Sequence, residues 1–185
     1  MNERKSTPGF TLIELIVSVA IVGIVLVIVS SMLLSALRTQ STVQSASEAT
    51  SSGQSVLTSI DTAVRNGSGL EVSDMGKLLI VRTASGSSWV CQAWYYHSAN
   101  GGSVFTTTKS SRSAINTAVL TSGWTLLARG AGLGLPAIFG PVTAVVPTGE
   151  GITINLNMDI KGQTPVSLST TTAPRLFSSD RGTCF

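Results

Sequence analysis

Charge is what this chain has least of. Only 11% of its 185 residues are Asp, Glu, Lys or Arg. No run of Lys and Arg forms a stripe, so the electrostatic footprint of a nucleic-acid binder is missing. The net charge of +3 arises beyond residue 14, because Glu3, Arg4, Lys5 and Glu14 cancel one another. Histidine occurs once, at His97, and cysteine twice, at Cys91 and Cys184, which leaves little material for a zinc site. A Ser-His-Asp triad would have to use His97, yet no G-x-S-x-G accompanies it. His97 therefore reads as a loop residue beside Tyr95 and Tyr96. Gly130-Ala131-Gly132-Leu133-Gly134 lacks the third glycine of a dinucleotide fingerprint and the Lys-Ser/Thr of a P-loop, so it reads as a flexible loop. No enzyme activity, cofactor, metal or nucleic-acid partner is expected on these grounds.

What the chain has instead is apolar residues, 43% of the total, with a mean hydropathy of +0.37. A membrane segment is the first thing that balance suggests. Leu15 to Leu37 carries no charged residue. Coiled as a helix at roughly 1.5 Å per residue, this run would be about 34 Å long, enough for a hydrocarbon core of about 30 Å. It is apolar all round, as a helix facing lipid or similar helices must be. A lone strand in lipid would leave its backbone groups unpaired, so helix is the expected state despite the many Val and Ile residues. Ser18, Ser30, Ser31 and Ser35 can bond back to their own helix, and Gly23 permits close approach of a neighbour. The run is too long for the apolar core of an ordinary secretory signal peptide. A plain signal anchor would suit its length and Arg4 and Lys5, but would not account for Glu14 at its very start. An ionisable group abutting such a run is a functional suspect by default.

Met1–Gly9 is a short basic leader ending in glycine, followed by Phe10-Thr11-Leu12-Ile13-Glu14-Leu15 and then the apolar run. This order resembles the class III signal peptide of type IV pilins and type II secretion pseudopilins. The resemblance implies cleavage between Gly9 and Phe10 on the cytoplasmic side by a prepilin peptidase. It also implies N-methylation of Phe10, and a role for Glu14 in assembly register. In that role the carboxylate pairs with the α-ammonium of a neighbouring subunit. Many major pilins have a proline in the middle of this helix. Here the stretch reads Val29-Ser30-Ser31-Met32, more in keeping with a minor pilin or pseudopilin.

Beyond the span, 38–66 contains no proline, and Val56, Leu57, Ile60, Ala63 and Val64 form a helical stripe. Asp61 and Arg65 can pair at i, i+4. Thr39 to Ser55 is poor in large apolar residues and reads as weakly amphipathic or frayed. Asn66-Gly67 suits a left-handed cap. From Leu70 onward the texture turns to strands, expected at 78–83, 89–96, 104–108, 124–129, 142–146, 152–158 and 165–169. Ile152 to Met158 alternates, giving one buried and one wet face. Cys91 and Cys184 are expected outside the membrane, where an even pair reads as a disulfide; two free thiols are the alternative. Trp89, Trp94 and Trp124 are expected in the core rather than at a binding surface.

The expected fold is α+β and pilin-like, a long N-terminal helix packed on an antiparallel sheet. It divides into a leader (1–9), a transmembrane and assembly helix (10–37), an extracytoplasmic helix half (38–66) and a β-rich globular part (67–185). The segments GLEVSDMGKLLIV, WVCQAWYY and GITINLNM resemble, more loosely, the J-type minor pseudopilins. The implied partners are other pilin or pseudopilin subunits, the prepilin peptidase, an inner-membrane assembly platform and, before assembly, lipid. The implied location is a single pass through the cytoplasmic membrane, then a filament at the cell surface.

Overall fold

The structure is a computed structural model, and it describes residues 9–118, 120, 123–133, 137–142, 151–160, 163–175 and 184–185. The chain divides into two compact units, Met1–Gln44 and Ser45–Phe185. One helix, α1 (Leu12–Asn66, 55 residues), contributes to both.

In the first unit, α1 is apolar on every side and buries none of those side chains within the chain. Leu15, Ile21, Leu26 and Leu33 are all more than half exposed. This is the one helix, among the described residues, long and apolar enough to cross a membrane. Ser18 and Ser31 donate their hydroxyls back to the carbonyls of Glu14 and Ile28, at 2.6 and 2.7 Å. Each hydroxyl thereby satisfies itself without needing water.

In the second unit, α1 obeys the opposite pattern. The expected stripe is the buried one: Val56, Ile60 and Val64 are fully enclosed and Leu57 is half-buried. The helix is continuous through Thr39–Ser55, so the expected fraying is not seen. Asp61 and Arg65 do pair, Oδ1 to Nε at 2.8 Å. The left-handed cap is also absent: neither Asn66 nor Gly67 has a positive φ, and the helix passes straight into a strand. Glycine at 67 has another cause. A Cβ there would lie 2.7 Å from Val81 Cγ1 and 2.9 Å from the Ala63 carbonyl, so only glycine lets the chain turn against its own helix.

The strands are β1 (Gly67–Ser73), β2 (Leu78–Ser85), β3 (Ser88–His97), β4 (Ser103–Lys109), β5 (Thr125–Arg129), β6 (Ala131–Leu133), β7 (Phe139–Val142), β8 (Gly151–Met158) and β9 (Val166–Thr172). All pairings are antiparallel. They form two sheets where a single one was expected. The first has the order β1-β2-β3-β4-β5; in the second, β8 is central, with β9 along one edge and β6 then β7 along the other. The strand expected at 142–146 lies outside the described residues beyond Val142. β1 was not anticipated, and β6 falls within the glycine-rich stretch read as a loop.

The inner faces of both sheets share one core with α1. Leu79, Val81 and Trp94 come from the first sheet, Ile152, Ile154 and Leu156 from the second. The alternation in β8 is as read: Ile152, Ile154, Leu156 and Met158 are buried, Thr153, Asn155 and Asn157 only partly. At Gly53 the helix lies close against the second sheet, since a Cβ there would overlap Leu168 and crowd Met158. In β2 the alternation is lost. Leu78, Leu79, Ile80 and Val81 are all buried, so both faces of the strand are covered.

Candidate functional site

The amino-terminal segment is built around a helix start. The Thr11 carbonyl accepts from the Leu15 N–H at 3.2 Å, the first intrahelical bond, and Thr11 Oγ1 accepts from the Glu14 N–H at 3.4 Å. Thr11-Leu12-Ile13-Glu14 thus has the S/T-x-x-E spacing of a capping box, with Thr11 as N-cap and Glu14 at the third helical position. The sequence reading missed this cap, although the spacing was there to find it. The cap places a carboxylate in the first turn, where the unsatisfied N–H groups and the macrodipole favour negative charge. Glu14 therefore lies where the helix start favours its charge, and its side chain is exposed.

Gly9 and Phe10 precede the helix in non-helical backbone, and both are exposed, Phe10 to 81%. A Cβ added at Gly9 would meet nothing within 4 Å. The fold itself does not ask for glycine there. Gly23 is similar, with open space around it on the apolar helix. Residues 1–8, within the segment expected to be a leader, lie outside the described residues.

Cys91 and Cys184 form the expected disulfide, with Cα atoms 5.4 Å apart and a sequence separation of 93. It is buried in a second apolar cluster on the outer face of the first sheet, with Leu78, Ile80, Ala93 and Ile115. Phe185 packs beside Gly69, where a Cβ would lie 3.2 Å from the ring. This cluster is the cover that makes β2 apolar on both faces.

The aromatic residues divide three ways. Trp94 is wholly in the core, as expected. Trp124 is half-buried, donates Nε1–H to the Asn116 carbonyl at 2.8 Å and lies 6.1 Å from the Tyr95 ring. Trp89 departs from expectation: it is 46% exposed, with the Arg82 guanidinium 4.5 Å above its ring. His97 ends β3 rather than lying in a loop, 6.5 Å from the Tyr95 ring.

Burial and the neighbouring Asp74 carboxylate push the Tyr95 phenol above its ordinary pKa, and burial alone does so for Tyr96. For Asp61, burial works upward, but the Thr172 hydroxyl and the Arg65 guanidinium beside it, with the charge of Arg175, bring the carboxyl below its usual range. Thr172 Oγ1 is buried without a well-formed hydrogen bond, so the 2.8 Å Arg65 contact is the firmer cause. Along the helix of the second unit, an open groove of about 710 Å³ is lined by hydroxyl and amide groups such as Ser55, Thr58, Thr62 and Gln92. Among the described residues no three His, Cys, Asp or Glu side chains gather to hold a metal.

The family model of the prokaryotic N-terminal methylation motif matches residues 4–30. No curated protein and no solved structure is significantly similar to the chain. The match covers Gly9, Phe10, Glu14 and the apolar run from Leu15 to Ser30. With the long helix and antiparallel sheets, it makes the chain type IV pilin-like in both motif and architecture.

Proposed function

We propose that this pilin-like chain is a structural subunit, minor pilin or pseudopilin in kind, of a type IV pilus or type II secretion-like filament. Cleavage between Gly9 and Phe10 removes Glu3, Arg4 and Lys5 and exposes a single α-ammonium on Phe10, which is then methylated. The rest of the apolar helix holds the subunit in the cytoplasmic membrane, with the second unit outside the cytoplasm. On assembly, the exposed faces of 15–37 exchange lipid for neighbouring helices. Prepilin peptidase, other pilin subunits and a membrane assembly platform are the partners this sequence of events requires. The work is mechanical rather than catalytic.

One observation carries the reading: in the described residues before Arg38, Glu14 is the sole charged side chain, and it lies in the first turn of a helix whose apolar residues as far as Leu37 are all exposed. An unpaired charge leaving water costs several kcal/mol, so a helix that packs into an apolar filament must give Glu14 a cation. The new ammonium of a neighbour supplies it and selects the axial register in doing so. Replacing Glu14 with Ala in the producing cell tests this. Membrane insertion and leader removal should persist while incorporation into filaments falls sharply. Wild-type incorporation of Glu14→Ala would contradict the pairing role.

A further inference from the structure

The connection between β1 and β2 is strained. Asp74, Met75 and Gly76 follow one another with φ of 52°, 52° and 80°. Asp74 and Met75 are the two non-glycine residues with positive φ among the described residues. Side chains rarely adopt this region, and such conformations persist only where the surroundings over-determine them. Here both flanks are fixed. The Asp74 carbonyl accepts from the Lys77 N–H at 3.0 Å, and the Tyr95 phenol lies beside the Asp74 carboxylate. Gly76 is buried, and a Cβ there would lie 2.6 Å from Ala137 Cβ and 2.8 Å from the Phe139 carbonyl. Between these fixed points Met75 is turned out into water and is 85% exposed.

That is an unusual use of methionine, whose flexible thioether ordinarily fills apolar gaps. Met158 shows the ordinary use, 1% exposed in the shared core. Met32 lies within the charge-free run, and Met1 within the segment expected to be a leader. Met75 is thus the one described methionine open to water outside that run. What a thioether offers in water is its sulfur lone pair, which reacts with two-electron oxidants.

We propose that Met75 is a reversible oxidation site, at which hydrogen peroxide converts the thioether to the sulfoxide and leaves the fold intact. The sulfur lone pair attacks one peroxide oxygen and the O–O bond breaks. The sulfur gains that oxygen and gives up two electrons, while the other oxygen leaves as water after taking up a proton. A dithiol reverses the step: the sulfoxide oxygen leaves as water and the dithiol becomes a disulfide. The sulfoxide is polar. At Met158 it would be buried without partners, whereas at Met75 water solvates it. The site is independent of the filament role, and its test stands whether or not filaments form.

The test exposes the full chain, in its native membrane, to brief hydrogen peroxide treatment. Sulfoxide at each methionine is then followed by mass spectrometry of proteolytic peptides. Met75 should oxidise at least about ten-fold faster than Met158. The denaturation midpoint in mild detergent should be unchanged when Met75 is fully converted, and a methionine sulfoxide reductase with dithiothreitol should return the thioether. Met75→Leu should remove the fast uptake of one oxygen and leave the rest. Oxidation of Met75 no faster than that of Met158 overturns the proposal. So does a lowered midpoint in the wild-type chain that Met75→Leu prevents. Protection of Met75 in the membrane but not in detergent overturns it too, because a partner would then cover the side chain.

Discussion

One helix in this chain has two halves with opposite relations to their surroundings. Leu15 to Leu37 is apolar on all sides and none of it is covered; Val56 to Val64 is apolar on one stripe and that stripe is wholly covered. The second half is explained by the chain itself, because two sheets lie against it. The first half is not, and an uncovered apolar surface of this size in water would be untenable. The difference locates the partner of each half. Residues 53–66 have theirs inside the molecule, and residues 12–37 have none within it, which is the cover that lipid or other helices supply under the proposed function.

The comparison can be broken most directly by truncation on either side. Trp94→Ala, in the shared core, should cost about 3–5 kcal/mol, whereas Leu26→Ala should leave stability within about 0.5 kcal/mol. Denaturant titration of the full chain in mild detergent checks both, and a comparable loss from Leu26→Ala would place its partner within the chain. Next in size is the disulfide. Cys184→Ser opens a loop of 93 residues and should cost about 4.6 kcal/mol in the chain-entropy model, with no effect on membrane insertion. An unchanged denaturation midpoint would show that the outer cluster closes without it.

The glycines sharpen the same contrast. Gly53→Val drives side-chain atoms into Leu168 and Met158 and should cost about 1–3 kcal/mol, while Gly23→Val should be neutral for the isolated chain. Equal effects would erase the distinction between the halves. The smallest effect belongs to the phenols of β3. Their raised pKa values mean the unfolded chain ionises first, near pH 10. The stability they contribute is therefore complete below that pH and declines as pH rises toward the folded-state values. Tyr96→Phe should flatten that decline in stability measured between about pH 9 and 11.5, and an unchanged slope would contradict it.

Where one physical signal dominated, the sequence was readable. The 3.6-residue stripe at Val56–Val64 and the strict alternation at Ile152–Met158 each arise from burial acting on local geometry, and each was realised; the charge-free run is a continuous helix, as read. The disulfide followed from there being two cysteines. Where structure depends on a distant edge, the sequence was mute. β1 is half glycine and serine and becomes a strand because β2 pairs with it. β6 lies in a glycine-rich stretch and becomes one because β8 offers an edge. The division into two sheets has no local signature, since a strand's sequence does not name its neighbour. The cap at Thr11 was legible in the Thr-x-x-Glu spacing, which the apolar run beside it outweighs as a signal. Trp89 escaped the core because its ring is covered by Arg82, a pairing set by the register of β2 against β3.

The central claim is that an exposed apolar helix becomes an assembly element once its leader is removed before Phe10. The mass of the mature chain, isolated intact from its native membrane, tests it most directly. The account predicts residues 10–185 with one added methyl group on the amino-terminal nitrogen and the disulfide intact. A mature chain that still begins upstream of Phe10 would contradict it.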